Sequence, residues 1–124
     1  MKILLVDDSK TMRNVQKSVL SLIGFNEVEE AADGLDALTK VNAVKPDLIL
    51  LDWNMPNMDG LTFVQKYRGQ GGKALIVMVT TEAEKTRVIS AIKAGVNNYV
   101  IKPFTPELLA ERIRETVERF KAAA

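Results

Sequence analysis

Four places in the chain put a residue able to do chemistry directly after a run of apolar residues. Asp7 and Asp8 follow Ile3-Leu4-Leu5-Val6, Asp52 follows Leu48-Ile49-Leu50-Leu51, Thr80 ends the run from Ala74 to Val79, and Lys102 follows Tyr99-Val100-Ile101. Asp52 alone reads better as a turn residue or helix cap than as a site residue. The set is more informative. Three acids gathered in one place would repel and raise one another's pKa, so a cation is their natural companion. An all-oxygen, acidic set in a chain with no His and no Cys favours Mg²⁺, which keeps several waters and needs only one or two carboxylates. Lys102 adds a positive point charge and Thr80 a hydroxyl donor. Carboxylates, a hard cation, Lys and Thr together suit a phosphoryl group.

These residues meet only if the fold brings four strand ends to one edge. The continuous apolar runs suit strands buried on both faces of a parallel sheet, and Glu27-Val28-Glu29 predicts a more polar strand near a sheet edge. Helical spacing lies between them. Met12, Val15, Val19 and Leu22 follow Ser9 as N-cap and stop at Gly24, and Leu35, Leu38 and Val41 follow Asp33-Gly34. Leu61, Val64 and Tyr67 end in the loop Gly69-Gln70-Gly71-Gly72. Val88, Ile89 and Ile92 end at Gly95, and Leu109, Ile113, Val117 and Phe120 follow Thr105-Pro106. Met55-Pro56, Asn57 and Asp59-Gly60 mark the loop after Asp52. Five alternations of strand and helix predict an α/β fold, a parallel sheet with helices on both faces. All carboxyl ends then share one edge, where open α/β sheets bind ligands.

The totals exclude several functions. At 124 residues the chain is expected to form one domain, residues 1–124. Lys+Arg 17 against Asp+Glu 16 gives +1, which offers no electrostatic footprint for nucleic acid or a membrane surface. The absence of Cys excludes disulfides, and the absence of His excludes a phosphohistidine on this chain. No segment approaches the roughly twenty apolar residues of a membrane helix, so a cytoplasmic protein is expected. Gly72-Lys73 resembles the end of a phosphate-binding P-loop, but Ala74 stands where Ser or Thr is required and Tyr67 where the first Gly belongs. Apart from the Ala122-Ala123-Ala124 tail there is no repeat or low-complexity segment.

The Asp7-Asp8 pair, Asp52, Thr80 and Lys102-Pro103, in this order, resemble the receiver domain of two-component response regulators. The resemblance covers essentially the whole chain, and Asp52-Trp53-Asn54-Met55-Pro56 with Tyr99 is nearest to the single-domain chemotaxis members. It implies a flavodoxin-like (βα)5 three-layer sandwich with strand order 2-1-3-4-5, an order carried over from the chemotaxis members themselves. It also implies that Asp52 is the phosphoacceptor. Asp8, Asp52 and the backbone carbonyl of Asn54 would hold Mg²⁺, with Asp7 acting through a water, and Thr80 and Lys102 would bind phosphoryl oxygens. The bond before Pro103 would be cis. Tyr99 would be a rotating aromatic that follows Thr80, and Asn54 and Glu82 would border the path of the hydrolytic water.

The expected function is therefore that of a signalling module, not an enzyme with a separate substrate. A histidine kinase would donate the phosphoryl group and a protein target would receive the signal. The flagellar motor switch is the target the resemblance suggests, and a phosphatase is a further partner. A monomer is expected, with output through the fourth helix, the Tyr99 strand and the fifth helix, exposing Lys85, Arg112 and Tyr99. The alternatives are a phosphorelay intermediate, a receiver cut from a longer regulator, and an Asp-nucleophile phosphatase of the haloacid-dehalogenase type. The last needs a second acid two residues after the nucleophile, where this chain has Asn54.

Overall fold

Leu48, Ile49, Leu50 and Leu51 are all fully buried, and a strand with no solvent face needs a strand on each edge and helices on both sides. The computed structural model, which describes the backbone of residues 1–123 and the side chains of residues 1–119, supplies both. The elements run β1 (Lys2–Val6), α1 (Lys10–Leu22), β2 (Glu27–Ala31), α2 (Gly34–Val44), β3 (Leu48–Leu51), α3 (Gly60–Gly69), β4 (Leu75–Thr80), α4 (Lys85–Ala94), β5 (Asn98–Ile101) and α5 (Pro106–Ala123). Every strand pair is parallel and the sheet order is β2-β1-β3-β4-β5, the flavodoxin-like order that the resemblance implies. Polar β2 lies at an edge, as its composition predicts.

Side chains alternate across the sheet, giving two apolar faces. Ile3, Leu5, Leu48, Leu50, Val77, Val79 and Val100 pack against α1 through Val19 and Leu20, and against α5 through Leu109, Ile113 and Val117. Leu4, Val6, Ile49, Leu51, Ile76 and Met78 meet Ala37 and Val41 of α2, Phe63, Val64 and Tyr67 of α3, and Ala91 of α4. Burying one Leu or Phe fully contributes about 1.5–3 kcal/mol, so the central strands are held firmly from both sides. The chain leaves β1 towards β2 and then returns across it to β3. Strand order thus reverses between β1 and β3, which opens a crevice at their carboxyl ends.

Helix starts follow the expected caps. Ser9, Asp33 and Thr105 accept hydrogen bonds from the N–H groups of Met12, Asp36 and Leu108. Asp59, expected only as a loop residue, caps α3 in the same way through the Thr62 N–H at 2.8 Å.

Several helix faces are rotated from expectation. In α1, Val15 and Leu22 are exposed while Gln16, Val19 and Leu20 are buried. At 3.6 residues per turn, Val15 and Leu22 lie about 40° and 60° to one side of Val19, and the sheet is on the other side. In α2, Leu35 is exposed, and in α4, Ile89 and Ile92 are exposed. These helices meet the sheet through fully buried Ala37 and Ala91, whose small side chains permit close approach. The expected inward position of Phe120 lies outside the described side chains, as does the Ala122-Ala124 tail. Among the described residues, no helix is long and apolar enough to cross a membrane.

Candidate functional site

Register places the acids side by side. Val6 pairs with Leu51, so Asp7 and Asp52, each the next residue, emerge level with each other at the β1–β3 crevice. The Asp52 N–H continues the ladder to the Val6 carbonyl at 2.9 Å. Thr80 pairs with Ile101, and Lys102 then leaves β5 with its N–H on the Thr80 carbonyl at 2.8 Å. The Lys102-Pro103 bond is cis, as the resemblance implies.

The Lys102 ammonium reaches back across the sheet to both acids. Nζ donates to Asp7 Oδ2 at 2.8 Å and to Asp52 Oδ2 at 3.1 Å. Asp7 is almost wholly buried, and its other oxygen accepts the Ser9 N–H at 2.9 Å. Burial pushes the Asp7 carboxyl above its ordinary range, against the hydrogen bonds from Lys102 and Ser9 and the charge of Lys102. Burial would also drag Lys102 down. The hydrogen bond to Asp7 and the charges of Asp52 and Asp7 outweigh it, and the ammonium is held above its ordinary value. Both directions describe one crowded, partly desolvated cluster in which the lysine stays charged.

Asp8 completes the acidic group and is exposed, and carboxylate oxygens of Asp7, Asp8 and Asp52 lie within 4.8 Å of one another. Three carboxylates against one ammonium leave two negative charges unbalanced. The donors are all hard oxygens, with Asp8 exposed, and this fits a small divalent cation such as Mg²⁺.

A rim surrounds Asp52, which is only 8% exposed. The Asn54 N–H approaches Asp52 Oδ1 at 3.4 Å, and the Asn54 side chain donates to Glu82 Oε1 at 3.2 Å. The Glu82 N–H in turn approaches Thr80 Oγ1 at 3.4 Å, with Thr80 fully buried. Tyr99 stands outside the cluster and is not the exposed residue expected. Its ring packs on the core and its hydroxyl donates to the Glu82 carbonyl at 2.7 Å. Burial, with the charge of Glu82, pushes that hydroxyl up to about 12. Lys85 is exposed as expected, whereas Arg112 is half-buried and pairs with Glu115 at 3.2 Å.

Three supports were not anticipated from the sequence. Arg13 donates to the Asp7 carbonyl at 2.6 Å and to Glu30 at 2.9 Å, which fixes the Asp7–Asp8 peptide against β2. Gly60 sits against the loop after Asp52, where a Cβ would overlap the Asp52 carbonyl oxygen and lie 2.9 Å from Trp53 Cα. Gly34 does the same for Met58, whose carbonyl would be 2.6 Å from a Cβ. The Asp-Gly dipeptides at both helix starts were a usable signal, since each couples a cap to a close approach. Arg13 had none.

Comparison with known proteins follows the same lines. Residues 3–114 match the response regulator receiver domain. The chain is 48% identical over 116 residues to Chemotaxis protein CheY1 of Helicobacter pylori, covering 91% of this chain and 94% of that protein. Among solved structures, Vibrio cholerae chemotaxis protein CheY4 superposes with a TM-score of 0.85 at 37% identity, covering 93% of this chain and 97% of that one. A Borrelia burgdorferi CheX-CheY-BeF3-Mg²⁺ complex superposes with a TM-score of 0.90 at 25% identity, covering 94% and 89%.

Proposed function

The chain belongs to the response regulator receiver family, and from that premise we propose that it is a chemotaxis response regulator phosphorylated on Asp52 by a histidine kinase. The observation that carries this reading is the meeting of Asp7, Asp8, Asp52 and Lys102 where the strand order reverses. Asp52 Oδ attacks phosphorus in line, the phosphorus–donor bond breaks, and the leaving group keeps the electron pair and takes a proton. Lys102 and Thr80 bind the phosphoryl oxygens. Asp7, Asp8, Asp52 and the Asn54 carbonyl would hold Mg²⁺, whose charge, when bound, draws electron density from those oxygens.

The output is binding of a protein target, for which the flagellar motor switch is our candidate, in the cytoplasm and without an enzymatic product. The Borrelia relative, solved in a complex with CheX, BeF3 and Mg²⁺, supports a partner protein for this chain, and a phosphatase is the second partner in this reading. Incubation with Mg²⁺ and acetyl phosphate should add one phosphoryl group to the parent and none to Asp52→Asn. Undiminished labelling of Asp52→Asn would remove the nucleophile assignment.

A further inference from the structure

The rim around Asp52 has a clasp on its outer side. Arg87, in the first turn of α4, lays its guanidinium over the ring of Trp53 at 5.4 Å from the centroid, and its Nε lies 3.6 Å from Glu82 Oε2. Trp53 directly follows Asp52 and is buried, and Glu82 is the residue whose other oxygen takes the Asn54 side chain. One arginine therefore joins α4 to the loop after β4 and to the loop after β3. A guanidinium suits this because its planar face stacks on an aromatic while its edge serves a carboxylate.

We infer that Arg87 is a positioning residue that clasps the Asn54–Glu82 rim and so sets how readily groups reach and leave the phosphoryl position at Asp52. This rests on the reading of Asp52 as phosphoacceptor. In phosphorylation the donor's P–O bond breaks as the Asp52 Oδ–P bond forms, and the leaving group departs on the side opposite Asp52. In hydrolysis a water oxygen attacks phosphorus from that same side, the Oδ–P bond breaks with its electron pair returning to Asp52, and the water's protons pass to phosphate and solvent. A clasp that narrows the approach from that side would impede both steps alike. Loss of a group that binds the phosphoryl oxygens would instead slow both steps.

The clasp is half-exposed, so its removal should change each rate by about three- to fivefold. In Arg87→Ala, labelling by acetyl phosphate at fixed Mg²⁺ and decay of the labelled protein should both speed up by that factor, with Mg²⁺ affinity unchanged. Arg87→Lys keeps the charge without the planar face and should lie between Arg87→Ala and the parent. Trp53, the sole tryptophan, gives a readout independent of phosphorylation, since its fluorescence should become more accessible to acrylamide in Arg87→Ala. Equal rates in parent and Arg87→Ala overturn the inference. So do rates that move in opposite directions, a Mg²⁺ affinity that falls with them, or quenching that stays the same. A parent that takes no phosphoryl group sinks the reading of Asp52 and this inference with it, whereas a labelled parent beside an unchanged Arg87→Ala sinks this inference alone.

Discussion

Tyr99 and Thr80 meet on the backbone of a single residue: the Tyr99 hydroxyl donates to the Glu82 carbonyl at 2.7 Å, and the Glu82 N–H approaches Thr80 Oγ1 at 3.4 Å. Neither contact involves the acids. A phosphoryl group on Asp52 would offer Thr80 a charge-assisted partner, and a hydroxyl that turns towards it releases Glu82 and with it the tie to Tyr99.

Thr80→Ala should therefore leave Asp52 reactive but uncouple labelling from partner binding. The check is partner affinity with and without beryllofluoride, in parent and variant. A full activation-dependent gain in Thr80→Ala would mean that the coupling runs elsewhere.

The raised Tyr99 hydroxyl makes a pH prediction. The folded state keeps the phenol neutral, so this contribution to stability is complete below the unfolded value of 10.0 and is lost as pH rises through about 12. Tyr99→Phe should abolish the phenolate absorbance transition near pH 12 and flatten the stability profile between 10 and 12. A transition near 12 that persists in Tyr99→Phe belongs to another group.

Asp7 follows the same sign as Tyr99, with a carboxyl in place of a phenol. Its carboxyl is held above the ordinary range chiefly by burial, so the stability it contributes is present below its unfolded pKa and lost as pH rises through the folded one. Asp7→Asn should thus stabilise the metal-free protein at neutral pH, by about 1–2 kcal/mol, and remove that slope. Asp8→Ala, at the exposed member, should instead weaken the thermal shift produced by Mg²⁺. Melting curves over pH, with and without Mg²⁺, test both.

Gly60 offers a purely steric test. A Cβ there meets the Asp52 carbonyl and Trp53 backbone, neither of which can turn aside, so Gly60→Ala should cost about 2–4 kcal/mol and slow labelling of Asp52. Gly69, at the other end of α3, has nothing within 4 Å of its Cβ position. Gly69→Ala should be neutral or stabilise by up to about 1 kcal/mol, as expected for a helix residue. Equal effects at the two glycines would show that helix propensity, and not contact, governs both.

The sheet and the acids were legible in the sequence for one physical reason. Strands such as Leu48–Leu51 have no solvent face, so each reads as an unbroken apolar run, and the polar residue that breaks it marks the carboxyl edge. Helix faces were less legible, because contact is set by closeness and not by bulk. Ala37 and Ala91 touch the sheet where Leu35 and Ile92 looked the better candidates, and Gln16 is buried. Arg13 and Arg87 were invisible because an arginine on a helix surface is ordinary until its distances to Glu30 and Glu82 are known. The cap at Asp59 was hidden inside what read as a loop.

The two sides of Asp52 have unequal slack. Towards α2, Asn57 adopts a left-handed φ of 68° and its side chain grips Asp33 at 2.7 Å, while Gly34 and Gly60 admit backbone where no other residue would fit. That side is a fixed jaw. Towards α4 the loop has side-chain contacts of 3.2, 3.4 and 3.6 Å at Glu82, Thr80 and Arg87, and a short tie from the Tyr99 hydroxyl to the Glu82 carbonyl at 2.7 Å. Any strain that enters at Asp52 must therefore be relieved in one direction, towards α4 and β5, so the molecule has a built-in handedness of response before any partner binds. Amide hydrogen exchange should show it: on adding beryllofluoride and Mg²⁺, residues 81–88 should change and residues 53–60 should hold still.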